Sequence, residues 1–257
     1  MKLLISPAKK MRVDGDSLPP RTQPALLEYS RQLLESLREL PFPALKKLLV
    51  CSDALALGAY EAFQAMDLSR GETPALLAYE GIQYQYMAPG LFTEEQWEYA
   101  SQHLRILSGF YGVLRPFDAV SPYRLEMQAK LPTAKGKNLY DFWGSSLGEL
   151  LLQEDTVFVN LASEEYAKAV RPLLGERARF VTCVFAEEPE PGRLVEKGVY
   201  VKMARGEMVR FAAETGARSP EELCAFDRLG YSFAPSLSEK DTYVFRREKP
   251  PKSCKNF

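Results

Sequence analysis

The sequence predicts an α+β protein, a single compact domain in which a mixed β-sheet is flanked by helices. The chain has 257 residues, of which 46% are hydrophobic and 26% charged, the composition of a globular domain. Strand-like and helical segments occur in mixed order without a regular βαβ period, which favours α+β over a doubly wound sheet. No repeat or low-complexity linker divides the chain. We therefore expect one domain over residues 1–257, with a frayed tail at 249–257.

The first half of the chain predicts one buried strand followed by several helices. Lys2 to Ile5 is a short apolar run typical of a buried strand, and Ser6-Pro7 has the pattern of a helix start. Leucines recur at a spacing of 3.6 residues between Leu26 and Leu40, and Thr93 with Gln96 forms a capping-box pattern. Helices are expected over 26–40, 43–51, 52–65 and 93–103, and a strand over 75–79.

The second half predicts alternating strands and helices. Residues 156–161 (TVFVNL) and 241–247 (DTYVFRR) are rich in β-branched and aromatic side chains. Strands are expected over 156–161, 180–185, 198–203 and 241–247, and helices over 163–174, 207–215 and 219–226.

Charge and residue counts exclude several classes of function. Lys plus Arg is 33 and Asp plus Glu is 34, so a protein that coats nucleic acid through bulk positive charge is excluded. The single histidine, His103, disfavours the common imidazole metal sites and fits a packing role, and we expect no metal and no cofactor. The four cysteines form no C-x-x-C pair, and no apolar stretch reaches the 18 residues of a membrane span. A cytoplasmic protein with free thiols is expected.

Two glycines three residues apart, Gly109 and Gly112, stand between apolar runs. A helix beginning near Tyr111 would direct its free N–H groups at the glycine turn, which suits a phosphate. The Leu107-Ser108-Gly109-Phe110 pattern also fits the helix-hairpin-helix that holds a nucleic-acid backbone, although Gly112 lies one residue later than usual. An ordinary structural turn explains the glycines equally well.

Positive charge is concentrated in two segments. Residues 105–137 contain six basic and two acidic side chains, on a chain whose net charge is −1. The segment 201–210 adds Lys202, Arg205 and Arg210 at a predicted strand-to-helix junction near Ala204. Such asymmetry is what an anion-binding face needs. A solvated charged surface without a partner is the alternative.

Polar residues at the ends of predicted strands are candidates for lining a pocket. Ser6 and Lys9 have the Ser-x-x-Lys spacing of some acyl-transfer enzymes, but the companion motifs are absent and Ser6 has a simpler role as a helix cap. Glu126 and Glu165 form an acid–base pair only if the fold brings them together, and structural ion pairs with Arg124 and Lys168 are the alternative. The candidate lining residues are Ser6, Tyr123, Glu126, Asn160 and Ser163, and no catalytic residue is assigned.

Five motifs together resemble one known family. They are LISPAKKM at 4–11, LSGFYGVLRP at 107–116, PYRLEM at 122–127, NLAS at 160–163 and KMARG at 202–206. In this order they closely resemble the YaaA peroxide-stress family and span nearly the whole chain. Met203 stands where a second Lys is expected, which weakens anion affinity, and Phe110 replaces a Leu but keeps an apolar anchor.

The resemblance implies a cytosolic protein that limits iron-dependent peroxide damage and binds DNA through a positively charged cleft and a helix-hairpin-helix. The hairpin is expected at Leu107 to Gly112, with Ser108, Gly109, Tyr111 and Gly112 among its binding residues. The cleft is expected to draw on Lys9, Arg115, Tyr123, Arg124, Lys202, Arg205 and Arg210.

We therefore expect a non-catalytic protein that binds duplex or branched DNA largely without regard to sequence, because its cations contact phosphates. The alternative is an enzyme that acts on a nucleotide or another phosphorylated small molecule in the same cleft. Direct iron sequestration has little residue support. The shape of the cleft distinguishes DNA binding from an enzyme that acts on a small phosphorylated molecule, since a closed pocket favours a small anion and a wide groove favours DNA.

Overall fold

A computed structural model describes residues 1–14, 18–190 and 192–247 of the chain. It is one compact domain in which a mixed sheet is flanked by helices, which confirms the predicted architecture. The predicted tail at 249–257 lies outside the described residues. Within those residues, no helix is both long and apolar enough to cross a membrane.

Twelve described strands alternate with helices. The strands are β1 (Lys2–Ile5), β2 (Lys10–Met11), β3 (Thr73–Pro74), β4 (Tyr79–Glu80), β5 (Leu104–Ser108), β6 (Gly112–Leu114), β7 (Ala119–Val120), β8 (Val157–Leu161), β9 (Arg179–Glu190), β10 (Arg193–Val195), β11 (Tyr231–Phe233) and β12 (Thr242–Arg247).

The α-helices of the described residues flank the sheet. They are α1 (Leu27–Arg38), α2 (Phe42–Leu49), α3 (Asp53–Ala65), α4 (Ala75–Ala78), α5 (Ile82–Met87), α6 (Glu94–His103), α7 (Leu139–Trp143), α8 (Ser146–Leu152), α9 (Glu164–Ala167), α10 (Arg171–Arg177) and α11 (Gly198–Thr215), with short 3-10 turns at Pro89–Leu91, Glu221–Ala225 and Pro235–Leu237.

The main sheet has the strand order β11-β12-β9-β8-β1-β5-β6, and β10 pairs with β9. The five strands β12, β9, β8, β1 and β5 are mutually parallel, whereas β11 and β6 are antiparallel edge strands. The central strand β1 contacts β5 on one side and β8 on the other. Leu3, Leu4 and Ile5 are fully buried, as expected for a parallel strand that is covered on both faces.

Several predicted elements are confirmed where a local signal marks them. Helix α1 buries Leu33, Leu34 and Leu37 on the predicted leucine face. Helix α6 begins with the predicted capping box, because Gln96 N donates to Thr93 Oγ1 and Thr93 N donates to Gln96 Oε1.

Two predicted strands are helical. Residues 198–203 belong to α11, whose buried Val201, Ala204 and Met208 recur with a helical period that the short β-branched run concealed. The predicted helix start near Ala204 is therefore wrong as well. Residues 75–78 form α4 and all four are buried, so their short apolar run gave no period from which to separate helix from strand.

The predicted helix-hairpin-helix at Leu107 to Gly112 is wrong. Strands β5 and β6 pair there as an antiparallel hairpin, with Ser108 opposite Gly112 and a turn at residues 109–111. Gly112 has φ +77°, which explains the glycine in this turn. The amides of Phe110 and Tyr111 both donate to Ser108 Oγ within the buried interior. They are therefore not available to a phosphate, and the structural-turn interpretation holds.

Candidate anion-binding site

A cavity of about 420 Å³ lies beyond the carboxyl ends of the adjacent parallel strands β1 and β8. The chain runs from β1 to β5 on one side of β1 and continues to β8, β9 and β12 on the other. The pair β1 and β8 is thus the topological switch point of the sheet, where open parallel sheets commonly bind ligands.

Two serines join the strand ends at this point. Ser163 N donates to Ser6 Oγ at 2.8 Å, and Ser6 Oγ lies 3.3 Å from Ser163 Oγ. Tyr84 OH donates to the Ser6 carbonyl at 2.9 Å. Because neighbouring elements hold Ser6, it caps no helix, and the helix start predicted at Ser6-Pro7 is wrong.

Five basic side chains from three segments line the cavity, and we call this surface the cationic cleft. They are Lys9, Lys10, Arg124, Lys202 and Arg205. Lys9 Nζ lies 2.8 Å from Glu126 Oε1, and Lys10 Nζ lies 2.6 Å from Glu80 Oε2, so carboxylates neutralise two of the five. Lys202 and Arg205 form no ion pair with any described residue. Four of the predicted cations, Lys9, Arg124, Lys202 and Arg205, are thus brought together.

Three buried nitrogen atoms in the cleft lack a hydrogen-bond acceptor. They are Gln83 Nε2, Arg124 Nε and Arg205 Nε, and they are the only such side-chain atoms in the described part of the chain. Gln83 is only 7% exposed. Burial lowers the pKa of Arg205, because removal from water penalises its charge. Buried polar groups are normally paired, so the three donors indicate a site for an acceptor-rich ligand.

Close packing of α11 against α5 brings Arg205 to this cavity. A Cβ on Gly206 would lie 2.1 Å from the Gln83 carbonyl oxygen and 2.9 Å from Met87 N. Only glycine permits that approach, because both neighbours are backbone atoms. Gly206 therefore lets α11 lie against α5, and Arg205 and Gln83 of these two helices line the same cavity.

Two carboxyl groups, Glu126 and Glu165, line the same cavity. Gln128 bridges them, since its backbone N donates to Glu165 Oε1 at 3.2 Å and its Nε2 to Glu126 Oε2 at 3.3 Å. Burial raises the pKa of Glu165, and the nearby charge of Glu126 raises it further. The fold thus brings the two carboxyl groups together. Of the alternative ion pairs, that of Glu126 with Arg124 is present at 4.0 Å, whereas that of Glu165 with Lys168 is not formed.

Tyr123 lines the cavity, and residues of the protein interior form hydrogen bonds with its hydroxyl. Its hydroxyl lies 2.7 Å from Ser108 Oγ and 2.9 Å from Tyr79 OH. Burial raises the pKa of Tyr123 to about 12. Ser108 is fully buried and lies one layer beneath the cleft, where it supports Tyr123 and does not face the cavity.

Other predicted site residues lie elsewhere. Arg115 pairs with the buried Asp118, and Arg210 pairs with Glu214. The Asn160 side chain is buried and accepts from Ala162 N. Gly109, Tyr111 and Gly112 belong to the buried hairpin turn, and a Cβ on Gly109 would lie 2.6 Å from Leu125 O.

A second cavity of about 650 Å³ adjoins the cleft and shares Lys9, Arg124 and Glu126 with it. Its other walls are mostly aliphatic, with Lys47 and Lys130 among them. We call it the apolar bay, which is lined in addition by Leu40, Ala44, Leu48, Leu49, Val50, Gln128, Ala129, Leu131 and Pro132.

Sequence reasoning missed Lys10, Gln83 and Tyr84 as lining residues. Gln83 carries no motif, and only the packing of α5 on α11 brings it to the cleft. Within the described residues, no three His, Cys, Asp or Glu side chains are grouped so that they hold a metal ion.

The fold and the cleft define an α/β protein with a pocket lined by basic side chains at the switch point of its sheet. A sequence model described as Peroxide stress protein YaaA matches residues 1–237. The chain is 53% identical over 245 residues to a UPF0246 protein of Desulfitobacterium hafniense, covering 95% of this chain and 97% of the relative. It is 50% identical to one of Pediococcus pentosaceus with the same coverage, and 44% identical to one of Limosilactobacillus reuteri over 97% of this chain and 100% of the relative. The chain belongs to the YaaA peroxide-stress family.

Proposed function

We propose that this peroxide-stress protein binds DNA at the cationic cleft, holding one nucleotide unit of a strand, and thereby limits iron-dependent oxidative damage. The observation that supports this most is the set of unpaired donors of Arg124 and Arg205 in one cavity with the free amine of Lys202. The guanidinium group of arginine matches the oxygen geometry of phosphate as well as that of carboxylate, and a DNA strand supplies phosphates.

The size of the cleft restricts which form of DNA it can hold. A cavity of about 420 Å³ falls within the range of small-ligand pockets, whereas even the major groove of a duplex is about 12 Å wide. By its size the cavity favours a small anion over a duplex, and of the forms of DNA a strand end or an unpaired nucleotide fits this space. Binding of a uniform duplex through a glycine hairpin receives no support, because the hairpin amides are buried.

The test is a salt titration followed by fluorescence anisotropy with single-stranded, duplex and branched oligonucleotides. Lys202→Ala is compared with Arg210→Ala, whose side chain pairs with Glu214 outside the cleft. We expect the affinity to fall with salt, and the log–log slope to decrease by about 0.7 for Lys202→Ala on a single strand if it contacts one phosphate. Arg210→Ala should match wild type. Binding that is independent of salt, or equal loss in both variants, would refute the phosphate mechanism.

A second candidate function is an enzyme that acts on a nucleotide or another phosphorylated small molecule. The bridged carboxyl pair of Glu126 and Glu165 favours it, because a carboxyl with a raised pKa suits general acid catalysis. Thermal stabilisation by mononucleotides, with none by oligonucleotides, would favour this function over DNA binding.

A further inference from the structure

The three unpaired donors of the cleft specify the chemical group of a ligand more closely than the positive charge of the cleft does. They come from three separate elements, Gln83 from α5, Arg205 from α11 and Arg124 from the segment before α7. We propose that they form a site for a terminal phosphate, that is, a phosphomonoester at a strand end or on a free nucleotide. This inference rests on the proposed function and names the chemical group that the cleft recognises.

The origin of the donors in three separate elements favours a monoester. Each phosphate oxygen accepts more than one hydrogen bond, so the number of donors alone does not distinguish the two groups. A terminal phosphate presents three free oxygen atoms around the phosphorus, whereas a phosphodiester within a strand presents two, so donors that come from three elements match the terminal group better. The neutral Gln83 donor extends the set beyond the two guanidinium groups, and its side chain is 93% buried and lines the cleft.

The charges agree with the same ligand. A phosphomonoester carries a charge of about −1.5 to −2 at pH 7, and a phosphodiester carries about −1. Arg205 has no ion pair with a described residue, and Arg124 has only Glu126 at 4.0 Å from its Nη2. Glu196 also acts on Arg205, from beyond ion-pair distance, and the two guanidinium groups together match a dianion.

The shape of the cleft also favours a chain end. At Gly206 the backbones of α11 and α5 are in direct contact, so no strand passes between these helices beside Gln83. A phosphodiester that reached the three donors would need to enter and leave through the same opening, whereas a terminal phosphate enters once. The rest of the ligand then extends towards Lys9 and the apolar bay, which shares Lys9 and Arg124 with the cleft.

The first experiment compares single-stranded oligonucleotides of one sequence that differ only at their ends. The probes are the 5′-phosphorylated, 3′-phosphorylated and unphosphorylated strands, with a nucleoside monophosphate and inorganic phosphate as competitors. We expect at least one phosphorylated end to bind about tenfold more tightly than the unphosphorylated strand, from one or more charge-assisted hydrogen bonds. If the mononucleotide competes with the same affinity as the phosphorylated strand, the phosphate that the site recognises belongs to a free nucleotide. If the mononucleotide binds more weakly than the phosphorylated strand, the phosphate belongs to a strand end.

The second experiment uses Gln83→Met, with Gln85→Met on the exposed side of the same helix as its control. Removing an unpaired buried donor should leave the melting temperature of the free protein unchanged or higher, while the preference for the phosphorylated end falls severalfold. A merely structural role of Gln83 would instead lower the melting temperature and leave the preference intact. Gln85→Met should alter neither.

The outcomes separate this inference from the proposed function. Equal affinity for phosphorylated and unphosphorylated strands, with the salt slope still dependent on Lys202, would overturn the terminal-phosphate site and leave DNA binding in place. No binding of any oligonucleotide would refute DNA binding, and the terminal-phosphate site would then stand only if the mononucleotide or phosphate bound with dependence on Gln83.

Discussion

Gly206→Ala tests whether close packing of α11 on α5 builds the cleft. The new Cβ would lie 2.1 Å from the Gln83 carbonyl oxygen, whereas ordinary contact begins at 3.4 Å, so the helices must separate by about 1.3 Å. Because both nearest neighbours are backbone atoms, no side-chain rotation relieves the overlap. Overpacking of this kind costs about 1–3 kcal/mol or more, and alanine regains up to about 1 kcal/mol in helix propensity. We expect a net loss of about 1–2 kcal/mol.

Thermal unfolding followed by circular dichroism measures this loss. For a chain of this size a loss of 1 kcal/mol lowers the melting temperature by about 2–4 °C, so we expect a decrease of about 2–8 °C. Gly58→Ala is the matched control, because Gly58 lies within α3 and nothing lies within 4 Å of its added Cβ. That variant should be as stable as wild type or more stable. A Gly206→Ala variant that melts at or above the wild-type temperature would refute the packing argument.

Two further changes test the hairpin and the carboxyl pair. Gly109→Ala should lower the free energy of unfolding by about 1–3 kcal/mol in a urea titration, because its Cβ would lie 2.6 Å from Leu125 O. A variant as stable as wild type would contradict the buried turn. Burial raises the pKa of Glu165 above its unfolded value of 4.5, so its ionisation costs stability as pH rises through the folded pKa. Glu165→Gln should therefore be more stable than wild type at pH 7, and this difference should disappear below pH 4.5. A difference in stability that stays constant across pH would show that the charge of Glu165 is not its cause.

Elements with local signals were predictable from the sequence. The capping box at Thr93 and Gln96 is complete within four residues, and the leucine face of α1 repeats over three turns. Short apolar runs carried less information. Residues 75–78 and 198–203 are too short to show a period, so their helices depend on packing that the sequence does not display.

The glycine pair shows how one pattern fits two structures. Gly109 and Gly112 separate two apolar runs, and this spacing is compatible both with a turn between helices and with a β-hairpin. The decisive fact is that β5 lies beside β1 in the sheet, which depends on pairing between residues about 100 positions apart. Local pattern alone does not contain that pairing.

The cleft was predictable in part. Charge and motif predict four of its residues, and the fold brings these to one cavity: Lys9, Arg124, Lys202 and Arg205. Arg115 and Arg210 carry the same charge but pair with Asp118 and Glu214 elsewhere. Charge thus identifies candidates, and only the tertiary structure separates the cations that line the cleft from those that lie elsewhere.

The central position of β1 has a consequence for how the protein is made. This strand is synthesised well before its partners β5 and β8, which begin at residues 104 and 157. At a synthesis rate of about 5–20 residues per second, β1 leaves the ribosome several seconds before either neighbour exists. Its apolar segment stays unpaired with these neighbours during that time, so its burial depends on strands that are made later. The cationic cleft is completed later still, because Lys202 and Arg205 of α11 follow both strands in the chain.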